Sequence, residues 1–359
     1  MIIKKRNLYL LTVMLSTVVL SSCIVAYAMA DNGVLASEGT DTLVAVTGYT
    51  DLNGSFQFPE AGEKVAVLSP SSLPDWSQFE ATMDGLREWG YEPVSGKYAC
   101  VEERTLDDCL EDLIWALEDP EIKAIYCIRG GYGSSEVMDR LPVSLIEQAN
   151  KPIIGFSDIT AYHSAWTTAN VPSIHSSTSA AFTRLPEQCS EAQRMLMSGE
   201  VPSYQCGGSE YDVEGSAKGI LIGGNLATLT SVLDTAYDCT TIDEPYILFL
   251  EEVEEDYAHI HRFLTILDHK GILDKAEGLI FGEWVDYPEV CETYTGNSRG
   301  GKFKSVADMI SRQFLKKKTI PVAFGFPAGH ASTNYPLLMG TEVKLDVSEN
   351  GFSLEWLNQ

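Results

Sequence analysis

The chain of 359 residues is long enough for two domains of ordinary size, each with a core of its own. Its 45% hydrophobic residues are typical of a globular protein, and no internal repeat or low-complexity tract indicates a solenoid or a fibre. The formal net charge of −26 repels phosphate backbones and therefore argues against nucleic acid as a partner.

The first thirty residues have the pattern of a targeting segment. Three cations at residues 4–6 precede an uncharged run, and residues 28–30 (Ala-Met-Ala) fit a cleavage site. We therefore predict a signal peptide over residues 1–30 and export to the periplasm or the cell exterior. Two alternatives stay open. Residues 20–23 resemble a lipoprotein box, in which Cys23 would carry lipid and attach the protein to a membrane, and about 20 apolar residues can also form an uncleaved anchor.

Residues 31–60 are rich in Gly, Ser, Thr and Asp and lack sustained periodicity, so we predict a flexible tether there. Apolar strands then alternate with helices over residues 61–190, the predicted N-terminal domain that carries the nucleophile. Continuous apolar strands between helices predict a parallel sheet covered on both faces. The predicted elements are strands at 64–68, 124–128 and 152–156 and helices at 79–89 and 106–117.

Pro and Gly interrupt this alternation, and we place a linker over residues 191–215. Residues 216–359 are predicted to form a more mixed C-terminal α/β domain. Its predicted elements are strands at 247–250, 278–281 and 321–324, a helix at 257–269 and a terminal hairpin of 342–347 with 352–356. Asn350-Gly351 is typical of a tight hairpin turn.

Eight cysteines bear on the compartment and on metal binding. An exported chain meets oxidants, so Cys100 with Cys109 and Cys189 with Cys206 are candidate disulfides. Without Cys23 the number of thiols is odd, which predicts at least one free, buried cysteine. The sequence contains no CxxC metal-site spacing and no HExxH motif, and we predict neither a metal nor another cofactor.

A serine follows the strand at 152–156, where residues 153–160 read Ile-Ile-Gly-Phe-Ser-Asp-Ile-Thr. A serine at such a strand-to-helix turn projects its hydroxyl above the sheet, and the start of the helix supplies free amides that can hold an oxyanion. The segment resembles a nucleophile elbow, although Ile159 stands where a second Gly is usual. The alternative is that Ser157 or Asp158 only caps the helix.

Residues 129–134, Arg-Gly-Gly-Tyr-Gly-Ser, follow another predicted strand. Glycines let a substrate approach the backbone closely, and the Gly131 amide is placed to complete an oxyanion hole with the amide of Asp158. A phosphate-binding loop is the alternative, but the segment lacks the Lys-Ser/Thr of a Walker loop and the GxGxxG spacing.

A serine nucleophile needs a base and a carboxylate that orients it. Of six histidines, His330 lies in a Gly/Pro loop directly after an apolar strand, where it can face a cleft. Glu251 and Glu252 end the strand at 247–250. The two-residue alternation of the strand does not decide between them.

Six blocks of sequence, in order along the chain, together resemble the LD-carboxypeptidase family of serine peptidases. The blocks are residues 67–72, 128–133, 155–160, 223–226, 248–252 and 325–330. The resemblance runs from about Lys64 to Trp356. It implies a triad of Ser157, Glu251 and His330, with Glu251 at the Glu of the family's Leu-Glu-Asp pattern.

The resemblance also implies an oxyanion hole from backbone amides that match Gly131 and Asp158. Gly130 belongs to the same loop, and Arg129 is a candidate contact for the terminal carboxylate of the substrate. The implied fold is α/β, with a flavodoxin-like or Rossmann-like N-terminal domain and a smaller β-rich α/β C-terminal domain. The site would lie between the domains, and a homodimer is expected.

The implied activity is that of a serine carboxypeptidase acting on murein peptides during trimming or recycling of the cell wall. It would hydrolyse the amide between the L-centre of the diamino acid and the terminal D-Ala of a murein tetrapeptide. One alternative is the family branch that gives immunity by cutting a peptide-nucleotide antibiotic. The other, from a different class, is an exported small-ligand binding protein without catalysis.

Overall fold

The computed structural model describes residues 34–36, 43–52, 56–285 and 303–357. The predicted leader, Cys23 and Cys291 lie outside these residues. Within the described part of the chain, none of the helices combines the length and apolar character that crossing a membrane requires.

Fifteen strands are described, in two sheets. In chain order they are β1 (Val34–Ala36), β2 (Leu43–Asp51), β3 (Lys64–Leu68), β4 (Glu92–Ser95), β5 (Ile122–Cys127), β6 (Ile153–Gly155), β7 (Ser173–His175), β8 (Glu200–Cys206), β9 (Gly215–Asn225), β10 (Tyr246–Val253), β11 (Gly278–Val285), β12 (Val322–Phe324), β13 (Leu337–Met339), β14 (Glu342–Ser348) and β15 (Gly351–Trp356). The α-helices are α1 (Trp76–Glu88), α2 (Leu106–Glu118), α3 (Ser134–Met138), α4 (Val143–Ala149), α5 (Thr160–Thr168), α6 (Glu187–Met197), α7 (Leu226–Ser231), α8 (Tyr257–His269), α9 (Ile272–Lys275) and α10 (Val306–Phe314).

The first sheet has the strand order β13-β7-β6-β5-β3-β4. Its strands β3 to β7 pair in parallel, and β13 joins the edge antiparallel to β7. Because β3, β5 and β6 are buried along most of their length, the sheet is covered on both faces, as continuous apolar strands between helices require. The α/β fold predicted for this part is confirmed.

The second sheet is larger and mixed, with the order β1-β2-β8-β15-β14-β9-β10-β11-β12. Strands β9 to β12 pair in parallel, whereas β2, β8, β15 and β14 continue the sheet with antiparallel pairing. The predicted hairpin of β14 and β15 closes at Gly351, whose φ of +128° is easily adopted only by glycine.

The three predicted helices are confirmed as α1, α2 and α8. At the start of each helix, a polar side chain accepts a hydrogen bond from a backbone amide that has no partner within the helix. Asp75 forms a capping box with Gln78 before α1, Thr105 accepts from the Asp108 amide before α2, and Asp256 accepts from the His259 amide before α8. These caps are local in sequence, so a polar residue before an apolar periodic stretch marks each helix start.

Helix α5 is buried along nearly its whole length and lies between the two sheets. The Thr160 hydroxyl accepts from the Asn225 amide at 2.9 Å, and the Ser164 hydroxyl donates to the Tyr237 carbonyl at 2.6 Å. A Cβ at Gly224 would lie 2.5 Å from the Thr160 hydroxyl oxygen, so glycine is needed for this close approach. The helix that follows Ser157 is therefore fixed against the second sheet.

Two predicted boundaries are wrong. Residues 43–51 of the predicted tether form β2, which pairs with β8 and buries Val44 at 2% exposure. The composition of this segment resembles that of a linker. Its apolar residues at the start of β2 are nevertheless buried where the strand pairs with β8. The predicted linker at 191–215 contains the end of α6 and all of β8. Pro202 is tolerated there because it pairs with β2 alone, since β15 pairs with β8 only at residues 204–206.

The candidate disulfides are also wrong, because Cys100, Cys109, Cys189 and Cys206 are all free. The Cys109 thiol lies 3.8 Å from the Ser69 carbonyl oxygen, and Cys189 and Cys206 are buried in an apolar core. These thiols pack as small apolar side chains, which is the common state of a buried cysteine. The predicted free, buried cysteine is confirmed within the described residues.

Candidate active site

Ser157 lies where β6 gives way to a short 3-10 helix that leads into α5. Its φ is +65°, in the left-handed region that costs a residue with a side chain about 1–2 kcal/mol. Glycine is required two residues earlier, since a Cβ on Gly155 would lie 2.9 Å from the Ile159 side chain. A strained serine at a strand-to-helix turn is the geometry that exposes a nucleophilic hydroxyl above a sheet.

The glycine loop packs directly on this serine. A Cβ on Gly130 would lie 2.8 Å from the Ser157 Cβ and 3.0 Å from the Phe156 carbonyl oxygen. Gly131 has a φ of +119°, and a Cβ there would overlap the Ser72 hydroxyl at 2.1 Å. Glycine is therefore required at both positions for steric reasons. The Gly131 amide donates no hydrogen bond to another backbone group of the described residues.

Asp158 connects three loops around the serine. Its buried carboxylate accepts from the Ser71 hydroxyl at 2.5 Å and from the Ser134 amide at 3.0 Å. Its own backbone amide lies in the first turn of a helix, where amides have no intrahelical acceptor. The side chain of Asp158 thus links these loops, and its amide has no acceptor within the helix. Ser71 lies in the first block of the resemblance, but its local sequence carries no signal for its contact with Asp158.

His330 and Glu251 form a close pair although 79 residues separate them. The His330 Nδ1 lies 2.7 Å from the Glu251 Oε2, and the Glu251 side chain is completely buried. Because a carboxylate only accepts, Nδ1 carries the hydrogen and Nε2 is left as the basic nitrogen. Burial lowers the pKa of His330, but the Glu251 carboxylate, together with the charges of Glu252 and Glu254, outweighs it, so the pKa lies above its usual value of 6.5.

The histidine lies beside the nucleophile turn. The ring of Phe156, the residue before Ser157, has its centroid 4.7 Å from that of His330. Gly329 has a φ of +131°, and a Cβ there would lie 2.7 Å from the Glu251 Oε2. The glycine before the histidine therefore makes room for the carboxylate behind it.

Glu252 has different contacts from its neighbour. Its carboxylate accepts from the Asn225 side-chain amide and from the Ala227 backbone amide, both at 2.7 Å. Burial raises the pKa of Glu252 to about 7. Of the two carboxylates that strand alternation leaves open, Glu251 is the one in contact with His330.

Two further histidines, His163 and His175, are buried behind the Ser157 turn. Their environments are not those of a general base. His163 contacts the Gly155 carbonyl at 3.0 Å through Nε2 and the Ser173 hydroxyl at 2.8 Å through Nδ1, and burial lowers its pKa to about 4. Burial also holds the pKa of His175 well below 6.5. Both imidazoles are therefore neutral, and His163 supports the residue that begins the turn.

Arg129 is exposed at the edge of the glycine loop, where its Nη1 donates to the Leu73 carbonyl at 3.3 Å. Among the described residues no group of three or more His, Cys, Asp or Glu side chains is arranged to hold a metal ion. The site therefore offers a hydroxyl, an oriented imidazole and free amides, which together suit attack on an acyl carbon.

Fold and site together define a class: a two-sheet α/β protein in which the residue before a strained Ser157 packs on an imidazole that is held by a buried carboxylate. The model of the LD-carboxypeptidase N-terminal domain matches residues 65–176, and the model of the LD-carboxypeptidase C-terminal domain matches residues 218–345. The chain belongs to the LD-carboxypeptidase family. Family membership makes it a hydrolase of the peptidase type.

The relatives include a murein tetrapeptide carboxypeptidase of Pseudomonas aeruginosa, which is 28% identical over 314 residues that cover 82% of this chain and 95% of the relative. The microcin C7 self-immunity protein MccF of Escherichia coli is 22% identical over 335 residues, covering 82% and 93%. The crystal structure of muramoyltetrapeptide carboxypeptidase from Oxalobacter formigenes superposes with a TM-score of 0.71 at 23% identity, over 82% of this chain and 98% of that one. The two-domain fold of the family is thereby confirmed.

Proposed function

We propose that this protein is a serine LD-carboxypeptidase that removes the terminal D-Ala from murein tetrapeptides. Ser157 is the nucleophile, His330 the general base and Glu251 the carboxylate that orients the imidazole. The single observation that carries the proposal is the 2.7 Å contact of His330 Nδ1 with the buried Glu251, beside the strained turn of Ser157.

The reaction proceeds through an acyl-enzyme. The Ser157 hydroxyl oxygen attacks the carbonyl carbon at the L-centre of the diamino acid while His330 Nε2 takes the hydroxyl proton. The amides of Gly131 and Asp158 hold the oxyanion. The C–N bond then breaks, and His330 returns the proton to the leaving amine of D-Ala. One water molecule, activated by the same imidazole, hydrolyses the ester and releases the tripeptide.

Release of D-Ala from a purified murein tetrapeptide, followed by mass spectrometry, tests this activity. The Ser157→Ala variant should lose turnover by about 10³-fold or more, because the triad acts as a unit. Ser231→Ala is the matched control, since this serine is exposed at the end of α7 and its hydroxyl donates to the Thr228 carbonyl of the same helix. The proposal fails if a folded wild-type sample releases no D-Ala from any tetrapeptide.

An immunity-type peptidase that cleaves a peptide-nucleotide antibiotic is the second candidate function. Similarity to the microcin C7 self-immunity protein supports it, whereas the Gly-Gly-Tyr-Gly loop favours the carboxypeptidase branch. Parallel kcat/KM measurements on a murein tetrapeptide and a peptidyl nucleotide discriminate the two. A binding protein without catalysis is the third reading, and it predicts that Ser157→Ala leaves ligand affinity and function intact.

We also propose that the protein is exported, on the basis of the leader pattern alone. The mass of the protein purified from its own cells distinguishes the routes: cleavage after Ala30 gives a chain that begins at Asp31, and a lipoprotein gives lipid on Cys23. Sedimentation of the mature protein tests the homodimer expected from the resemblance.

A further inference from the structure

The three side chains of the proposed triad come from two separate sheets. Ser157 follows β6 of the first sheet, whereas Glu251 lies in β10 of the second sheet and His330 follows β12 of that same sheet. Attack requires the reacting atoms to lie about 3–3.5 Å apart, and a misplacement of about 1 Å can cost about 10²-fold in rate. The two sheets must therefore be held in a fixed relation close to Ser157.

A buried hydroxyl at the start of α5 connects the two sheets near the nucleophile. Thr160 is the first residue of α5, and its Oγ1 accepts a hydrogen bond from the Asn225 backbone amide at 2.9 Å. The 3-10 helix Ser157–Ile159 leads directly into Thr160, and three such residues span about 6 Å. Because Thr160 is completely buried, loss of its hydroxyl would leave the Asn225 amide without an acceptor at the full cost of desolvation.

Asn225 is itself fixed beside the carboxylate of the triad. It ends β9 and pairs with Glu251 in the register of β9 and β10. Its side-chain amide donates to Glu252 Oε1 at 2.7 Å, which ties it to the residue after Glu251. The bond from Asn225 to Thr160 therefore joins the helix of the nucleophile to the strand pair that carries Glu251, and Glu251 in turn holds His330.

The threonine side chain also packs closely on β9. A Cβ on Gly224 would lie 2.5 Å from the Thr160 Oγ1 and 2.9 Å from its Cγ2. Glycine at this position allows the approach that the hydrogen bond to Asn225 needs. Packing and hydrogen bonding thus act on the same side chain and set the position of α5 against β9.

Ser164 makes the same kind of contact further from the nucleophile. Its hydroxyl accepts from the Cys239 amide at 2.9 Å and donates to the Tyr237 carbonyl at 2.6 Å, both in the segment that joins α7 to β10. Ser164 is also buried, and it lies about 6 Å beyond Thr160 along the helix. It is therefore a matched control that separates general stabilisation from an effect on Ser157.

We propose that Thr160 is a positioning residue of the reaction, whose hydroxyl holds Ser157 in line with the pair of His330 and Glu251 through the Asn225 amide. This assignment rests on the proposed peptidase function and adds a residue that acts through Ser157 without touching the substrate. Thr160 is uncharged and does not contact His330, so it governs the rate of attack rather than the protonation of the base.

Thr160→Val removes the hydroxyl and keeps the branched shape of the side chain. With a murein tetrapeptide as substrate, kcat should fall by about 10- to 100-fold while KM stays within about threefold of the wild type. The acid limb of the pH profile should not move, because the contact of His330 with Glu251 is intact. Thr160→Ser keeps the hydroxyl acceptor and should restore kcat to within about threefold of the wild type. If the valine variant does not fold, Thr160→Ala removes the same hydroxyl without crowding β9 and should show the same loss of kcat.

Ser164→Ala should lower the midpoint of urea unfolding at least as much as Thr160→Val, because it removes two buried hydrogen bonds. Its kcat should nevertheless stay within about threefold of the wild type, since it lies farther from Ser157. An unchanged kcat in Thr160→Val, an equal loss of kcat in Ser164→Ala, or a loss that Thr160→Ser does not restore would overturn the assignment.

The rate at which a fluorophosphonate labels Ser157 reports the same alignment without a peptide substrate. Labelling should slow by about tenfold or more in Thr160→Val and remain at the wild-type rate in Ser164→Ala. If the wild type is labelled at Ser157 but releases no D-Ala from any tetrapeptide, the proposed function fails, and the labelling rates still decide the role of Thr160. Equal labelling of the wild type and Thr160→Val would overturn that role, and a wild type that neither cleaves nor labels would contradict both proposals.

Discussion

Replacing Glu251 by glutamine removes the charge behind the base and alters little else in shape. In the wild type, Oε2 accepts from His330 Nδ1 at 2.7 Å, and Oε1 is buried without a hydrogen-bond partner in the described residues. The glutamine carbonyl can still accept from Nδ1, but its NH₂ group then occupies the unpartnered position. In the opposite orientation the glutamine NH₂ faces the Nδ1–H group of His330, and two donors meet. This favours the imidazole tautomer that carries its hydrogen on Nε2, which cannot act as the base.

The expected loss in kcat is about 10³- to 10⁴-fold, as for removal of the carboxylate from other serine triads. This corresponds to about 4–5.5 kcal/mol of transition-state stabilisation at about 1.36 kcal/mol for each tenfold. The loss comes from two sources. The imidazolium formed during attack has no counter-charge, and the fraction of His330 with a basic Nε2 decreases.

The pH profile gives a second, independent readout. Glu251 raises the pKa of His330 above 6.5 against the effect of burial. Since the base must be neutral, kcat/KM in the wild type should fall as the pH drops through that raised pKa. In Glu251→Gln the effect of burial is opposed only by the weaker charges of Glu252 and Glu254, so the acid limb should move to lower pH. Hydrolysis of a murein tetrapeptide from pH 5 to 10, by D-Ala release, measures both effects.

Glu252→Gln is the matched control because this adjacent buried carboxylate contacts Asn225 and Ala227 rather than His330. Its acid limb should move less than that of Glu251→Gln, because Glu252 raises the pKa of His330 less than Glu251 does. A Glu251→Gln variant with wild-type kcat and an unmoved acid limb would refute the reasoning, and so would a larger shift in Glu252→Gln.

Three further predictions concern the turn that carries Ser157. Ser157→Gly should be more stable to urea than Ser157→Ala by about 0.5–1 kcal/mol, because glycine relieves the φ of +65° and both variants lack the hydroxyl; equal stabilities would argue against strain. Gly130→Ala should lower kcat by about 10²-fold or more in a folded protein, since the new Cβ would lie 2.8 Å from the Ser157 Cβ. Burial lowers the pKa of His163 from 6.5 to about 4, so its contribution to stability, about 3 kcal/mol, is present above pH 6.5 and lost as the pH falls toward 4. Urea unfolding of His163→Asn should show a weaker pH dependence across this window, and an unchanged slope would contradict the assignment.

Features set by neighbouring residues were predictable from the sequence. The apolar strand at 64–68, the capped helix at 257–269 and the turn at Asn350-Gly351 depend on contacts within a few residues. The strand-to-helix position of Ser157 follows for the same reason, since a continuous apolar strand runs into it. Local patterns therefore located the proposed nucleophile and predicted the α/β class.

Features that depend on distant pairing were not predictable from local patterns. Strand β13 joins the first sheet through residues more than 150 positions away from β7, and β2 pairs with β8 across a similar span. Composition alone made the region of β2 look like a tether. The strand can form only because β8 offers a sheet edge, which a local window does not contain.

The candidate site also combines features that local sequence predicts with features that depend on distant residues. Strand alternation left Glu251 and Glu252 open, and only the resemblance favoured Glu251, because its partner His330 lies 79 residues away. The bond of Ser71 to Asp158 spans 87 residues and has no local signal. Glycines gave the strongest sequence signal for the site, since Gly130, Gly131 and Gly329 stand where a Cβ would collide with a functional group.

Covalent trapping tests the central claim most directly. An active-site-directed phosphonate that carries the tetrapeptide side chains should add to one residue, and peptide mass spectrometry should find the adduct on Ser157. His330→Ala and Glu251→Gln should slow the labelling at least 10²-fold, while Ser231→Ala labels like the wild type. Adducts on another residue, or equal labelling of Ser157 without His330, would contradict the account.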